Sequence, residues 1–343
     1  MRPRFAAAVA LTATAAIALT GCTKKNDTDT AAGSGDAAAK TYKVAFVPKL
    51  QGVPYFEAMN AGGKEAAAAL GNVEWLYQGP TQADAAAQAD IVRSYIQQKV
   101  DALIVAPNDP DSMAPLLQQA KDAGIHVATA DTDAPSSVRE VFVNQATAQG
   151  IGEGLTDSLL KAMGGKGKYA IVSCGQTAEN LNSWIEVQKT YTKTKYPDAE
   201  IVDIVYAGED QAKATQMATD LMNAHPDLTG LVGECTSSAP GVAQAVKDAG
   251  KIGKVFTVGL GTPQAMKPYL QDKSSTAAIL WDVENLGYLT AWAGAQLAQG
   301  KPFAATNNVS GDLSAVAYTE ADKMLLLGPA LAITDQNVDQ FNY

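Results

Sequence analysis

Beyond residue 41 the chain alternates between two hydrophobic periods. Short runs that are apolar at nearly every position, KVAFVP (43–48), VEWLY (73–77), DALIVA (101–106), HVATAD (126–131) and VFVNQ (141–145), stand between longer segments whose apolar residues recur every three or four positions. In the segment 55–70, Phe56, Met59, Gly63, Ala66, Ala67 and Leu70 fall on one helical face. Ala85, Ala89, Val92 and Ile96 form the stripe of the next helix, and Met113, Leu116, Leu117 and Ala120 that of the third. The cycle restarts with KYAIVSC (168–174) and continues at 201–206, 228–234 and 255–260, each run followed by a helical pattern. Apolar strands bounded by Gly, Pro or Asp and spaced by helices predict parallel sheets covered on both faces. Two such sets in succession predict an α/β fold of two doubly wound domains.

In doubly wound sheets ligands bind beyond the carboxyl ends of the strands. The residues that end these runs are polar or aromatic: Lys49, Asn108, Asp131 with Asp133, Cys174, Glu234 with Cys235 and Thr236, and Trp281 with Asp282. Two sheets facing each other across such edges make a cleft that can close by hinge motion.

The first 41 residues follow a different pattern. Arg2 and Arg4 precede an uncharged, Ala-rich stretch, Phe5–Leu19, too short for a membrane span and typical of an export signal. It ends in Leu19-Thr20-Gly21-Cys22, which resembles the lipobox of bacterial lipoproteins, so 1–21 is expected to be a signal peptide and Cys22 the lipidated residue. Residues 22–41 carry almost no large apolar side chain and are expected to form a flexible tether. The expected location is the outer face of the cell membrane, through the lipid anchor, or the periplasm.

Charge narrows the partners. There are 26 Lys+Arg against 36 Asp+Glu, a net charge of −10, and loss of Arg2 and Arg4 with the signal takes it to −12. A body this acidic repels phosphate backbones, so nucleic acid is disfavoured. Roughly 300 residues after the tether exceed one comfortable domain, in keeping with the two sets of strands.

The motifs VAFVPKLQGVPYFEAM (44–59), DALIVAPNDPDSM (101–113), GIHVATADTDA (124–134), TAENLNSWI (177–185) and LWDVENLGYLT (280–290), in this order and spacing, resemble the pentose/hexose class of periplasmic sugar-binding proteins of ABC importers. Pro48–Gly52, the stretch Gly261–Tyr269 and the LWDV stretch are closest to the branch holding rhamnose-binding proteins and autoinducer-2 receptors. The resemblance implies a type I periplasmic binding protein with three crossings between domains, near 144–146, near 281–283 and after about Lys301. The N-terminal domain would then be 42–144 plus 283–301, and the C-terminal domain 145–282 plus 302–343. It further implies a monomer without cofactor, delivering its ligand to ABC permease and ATPase subunits. The alternatives are a receptor signalling to a membrane sensor and, more distantly, an exported hydrolase.

A sugar presents hydroxyls around a ring with slightly apolar faces, so its site needs polar groups in the plane and aromatic faces beside it. By resemblance Asp131 is the carboxylate that takes sugar hydroxyls, against the alternative of a turn cap. Lys49 matches a ligand-touching lysine, and Tyr55 and Phe56 match stacking aromatics, although Phe56 also sits on the apolar face of its helix. Asn180 and Asn182 are expected to serve hydroxyls or to cap a helix. Glu234, Cys235 and Thr236 occupy another contact position, and Trp281 with Asp282 a hinge-strand end. The autoinducer-2 receptors carry an Asp-Gln pair where this chain has Asn180-Leu181; Leu makes no side-chain hydrogen bond, which favours an ordinary sugar or polyol.

The two histidines, His126 and His225, lie far apart with no Cys or acidic cluster at ligand spacing, so no metal site is expected. Neither a G-x-S-x-G elbow nor a P-loop occurs, and Gly150–Gly154 reads as a packing or hinge feature. Cys174 and Cys235 end the first and third strands of the second set, which are neighbours in a 2-1-3-4-5 strand order. In an exported chain that geometry suggests a disulfide, two buried thiols being the alternative.

Overall fold

The computed structural model describes residues 40–343; the expected signal peptide, the expected lipidation site Cys22 and the expected tether up to residue 39 lie outside the described residues. Lys40, at the end of the expected tether, forms an ion pair with Asp101 at 2.8 Å just before the first strand.

The first half runs β1 (Tyr42–Val47), α1 (Pro54–Leu70), β2 (Val73–Tyr77), α2 (Ala85–Gln98), β3 (Ala102–Val105), α3 (Pro110–Asp122), β4 (His126–Ala130) and β5 (Val141–Asn144). Its strands lie in the order β2-β1-β3-β4-β5, all parallel. Every residue of β3 is buried, and alternate positions feed both faces: Val44 and Phe46 enter one apolar layer, Ala45 and Val47 the other beneath α2 and α3. That is why the strands read as unbroken apolar runs. Helix starts are set locally, with Asp84 capping α2 through the Ala87 amide and Asp109 capping α3 through that of Ser112.

The second half repeats the plan with α4 (Ala148–Ala162), β6 (Gly167–Ser173), α5 (Glu179–Lys195), β7 (Ala199–Tyr206), α6 (Gln211–Ala224), β8 (Leu228–Gly233), α7 (Ser238–Asp248), β9 (Phe256–Gly259), α8 (Pro263–Gln271) and β10 (Ala277–Leu280). The order β7-β6-β8-β9-β10 is again 2-1-3-4-5. The chain then returns: α9 (Val283–Ala298) packs on α1, so closely that a side chain at Gly62 would meet the Glu284 carbonyl and one at Gly287 the Met59 carbonyl.

The tail corrects the expected boundary. β11 (Thr306–Asn307), β12 (Val316–Thr319) and β13 (Met324–Leu326) extend the first sheet, β13 running parallel to β5, and only β14 (Leu331–Ile333) joins the second, antiparallel to β10. The third crossing therefore falls at 327–330 and not after Lys301. The cause is edge pairing: β5 and β10 end their parallel sets with unpaired backbone groups, and the tail supplies a strand to each.

Candidate functional site

The carboxyl ends of both sheets face one cavity. Its place between two sheet edges is that of small-molecule sites in doubly wound folds.

On the first side, Lys49 follows β1 and is held by its own backbone. The Asn108 amide donates to the Lys49 carbonyl at 2.8 Å, and the buried Gln88 amide donates to the Pro48 and Ala106 carbonyls at 2.9 and 2.8 Å. Asp131 follows β4 in the left-handed region, φ 65°, inside a tight turn in which the Thr132 amide donates to the Ala130 carbonyl. Asp is among the few residues that tolerate this backbone, and the cost is characteristic of functional sites. The turn carries the carboxylate to the cavity wall, where it accepts from the Tyr55 hydroxyl at 2.7 Å and the Thr132 hydroxyl at 3.0 Å. Burial and the neighbouring Asp131 push the Tyr55 phenol well above its usual range, so it remains a donor. Trp281 Nε1 donates in turn to the Tyr55 oxygen at 3.1 Å, giving a relay Trp281–Tyr55–Asp131 that joins the end of β10 to the end of β4.

The second side contributes Asn180, Leu181 and Trp184 from the first turns of α5, Glu209 from the turn after β7, and Cys235 and Thr236 after β8. Lys49 Nζ donates to Asn180 Oδ1 at 2.9 Å and lies 3.9 Å from Asp131 Oδ2, so it spans the cleft. The Thr177 hydroxyl also crosses, donating to the Asn108 carbonyl at 3.0 Å. Aromatic faces line the interior: Trp281 stands edge-to-face with Tyr55 at 6.0 Å and with Trp184 at 5.9 Å, and Phe56 packs edge-on to Tyr55 at 5.1 Å.

Seven of the sequence-derived contact residues thus line the cavity together with Cys235: Lys49, Tyr55, Phe56, Asp131, Asn180, Thr236 and Trp281. Three do not. Asn182 is turned outward and donates to the Gln176 carbonyl at 2.8 Å, because its position one helical step past Leu181 faces away from the cleft. Asp282 caps α9, accepting from the Asn285 amide at 2.8 Å, a role its place before a helix dictates. Glu234 is fully buried behind the wall, where the Gln188 amide serves both carboxylate oxygens at 2.8 and 2.7 Å; burial pushes its carboxyl up to about 8.

Cys174 and Cys235 form a disulfide with Cα atoms 6.1 Å apart. Their sulfurs and the Glu209 carboxylate lie within 4.8 Å of one another, but sulfurs committed to a disulfide offer no thiolate, which leaves a single carboxylate for any metal.

Glu209 and Trp184 escaped the reading of strand ends. Glu209 lies three residues past Tyr206, on the carboxyl edge already under inspection, and Trp184 is four residues from Asn180, hence on the same helical face.

A model of the periplasmic binding protein domain matches residues 44–302. The sequence is 31% identical over 203 residues, 56% of this chain, to the D-ribose/D-allose-binding protein of Pseudomonas aeruginosa. It is 27% identical over 230 residues, 65% of this chain, to the xylitol-binding protein of Mycolicibacterium smegmatis. These matches span 61% and 64% of the relatives' own lengths, somewhat under two thirds. Among solved structures, an ABC transporter solute-binding protein from Clostridium phytofermentas with bound L-rhamnose aligns with TM-score 0.82 and 29% identity, over 88% of this chain and 98% of that one. LsrB from Clostridium saccharobutylicum in complex with AI-2 aligns with TM-score 0.82 and 26% identity, over 88% of this chain and 100% of that one.

Proposed function

The chain belongs to the periplasmic binding protein family, and from that premise we propose that it is an extracytoplasmic solute-binding lipoprotein that captures a monosaccharide or sugar-like polyol and delivers it to an ABC importer. The ligand sits in the cavity between the sheets, with a rhamnose-like deoxysugar, a pentose or a polyol as the class that fits. One observation carries the reading. Asp131, Lys49 and Asn180 converge as hydrogen-bonding groups on a cavity walled by Tyr55, Phe56, Trp184 and Trp281, the combination a polyhydroxylated ring requires.

The apolar side of the cavity favours a neutral sugar over AI-2. Leu181 is buried in the wall beside Trp184, with Leu260 and Leu280 near it, so this side offers contact to a methyl or ring C–H face and no hydrogen bond. Membrane attachment through Cys22 and delivery to permease and ATPase subunits rest on the lipobox and the family membership.

A thermal-shift screen of the mature protein against monosaccharides, deoxysugars, polyols and AI-2 tests the reading. A ligand at 100 times its Kd adds about 2.7 kcal/mol and raises Tm by several degrees. A shift with a neutral sugar and none with AI-2 is expected; a shift with AI-2 alone would replace the sugar reading by that of a signal receptor.

A further inference from the structure

One side chain borders the cavity and two grooves outside it. Glu209 lines the inner cavity and also two grooves outside it, one bordered by Thr81, Asn108 and Thr177 and the other by Pro54, Ser237 and Pro240; among the described residues no other lines all three. Its carboxylate accepts one hydrogen bond, from the Ser237 hydroxyl at 3.1 Å. Burial pushes the carboxyl up, with Lys49 opposing the shift and Asp131 adding to it, so the three charges sense one another across the cavity.

The charge balance of the cavity is uneven. Two carboxylates, Asp131 and Glu209, face a single ammonium, that of Lys49, which is already engaged by Asn180 at 2.9 Å and by Asp131 at 3.9 Å. The remaining wall is aromatic, aliphatic, hydroxyl, amide or disulfide and supplies no second cation. In the groove bordered by Thr81, Lys213 offsets the acidic charge, but inside the cavity an anionic solute would lie beside Glu209 and Asp131 with no free positive partner, where the low dielectric strengthens like-charge repulsion. A neutral sugar brings hydroxyl donors, which a carboxylate accepts as charge-assisted hydrogen bonds.

Resting on the reading of the cavity as a sugar site, we propose that Glu209 is a specificity-determining residue that admits neutral sugars and turns away the corresponding sugar acids and sugar phosphates. The selection acts on residence in the cavity, where Lys49 is the single cation. Acidic derivatives of a sugar differ from it by one substituent, and a cavity of this shape alone would discriminate poorly between them.

The test is calorimetric titration of the mature protein with the neutral monosaccharide that gives the largest thermal shift and with the uronic acid of the same stereochemistry. Wild type is expected to bind the acid about 100-fold more weakly than the sugar, and Glu209→Gln to narrow that gap at least about tenfold. Glu209→Asp keeps the charge and should keep most of the gap, which separates charge from shape; Glu209→Ser is a second neutral variant should the glutamine form fold poorly. An unchanged gap in a folded neutral variant, or a wild type that binds acid and sugar equally, overturns the inference while leaving the sugar site intact. Binding of no neutral sugar at all overturns the sugar reading itself, and the inference with it.

Discussion

Asp131 is the residue on which the site turns. Its left-handed backbone and its buried carboxylate, shared between Tyr55, Thr132 and the nearby Lys49, leave few arrangements other than the one observed. Asp131→Ala should weaken sugar binding by about 2–4 kcal/mol, because ligand hydroxyls lose a charged acceptor in a desolvated cleft. Calorimetry at equal protein stability measures it, and an unaltered affinity removes Asp131 from the site. Tyr55→Phe takes out the middle of the relay and leaves Trp281 Nε1 and one Asp131 oxygen without that partner; a loss of about 1–2 kcal/mol in binding is expected. Residues at this scale were legible where a strand end and a motif agreed, as for Lys49 and Asp131. They were misread where an acidic or amide side chain had a second local use: Asp282 as a cap, Asn182 on the outer side of α5, Glu234 behind the wall.

Two element-scale devices belong to the second sheet at and behind the cavity wall. The disulfide ties the loop after β6 to the loop after β8, closing a sequence separation of 61 residues, for which chain entropy gives about 4 kcal/mol of stabilisation. Reduction should lower the melting temperature markedly, and thiol titration of the denatured, unreduced mature protein should find no reactive thiol; two would contradict the bridge. The second device is Glu234, whose carboxyl burial raises from 4.5 to about 8. The unfolded chain releases this proton near the ordinary carboxylate value while the folded chain holds it. The stabilisation is therefore complete below about pH 4.5 and is lost as pH rises through about 8. Thermal melts from about pH 5 to about pH 9 should show this decline, and Glu234→Gln should flatten it; an identical slope in the variant would mean that another group is responsible. The strands and helices themselves were legible because their periods are dictated by burial on both sheet faces. The short tail strands were not: β11, β12 and β13 span two to four residues, too few to show a period, and what places them is pairing with the edge of β5.

At the scale of the molecule, two sheets of the same strand order share one cavity, and the chain passes between them near Asn144, near Trp281 and at 327–330. Lys49 to Asn180 and Thr177 to Asn108 are hydrogen bonds across the cleft that opening would break. Ligand should therefore favour the closed arrangement, and small-angle scattering should give a smaller radius of gyration with sugar than without; equal radii would count against a closing cleft. Two of the four tryptophans, Trp184 and Trp281, line the cavity, so occupancy is visible in the protein's own emission. The most direct measurement is a fluorescence titration of the mature protein with the neutral sugar that emerges from the thermal screen, run in parallel on Asp131→Ala. A saturable, single-site change in wild type that moves to much higher concentration in the variant is the predicted result. Saturation with equal midpoints in both proteins, or no saturable change with any sugar, would contradict capture of a sugar in this cavity.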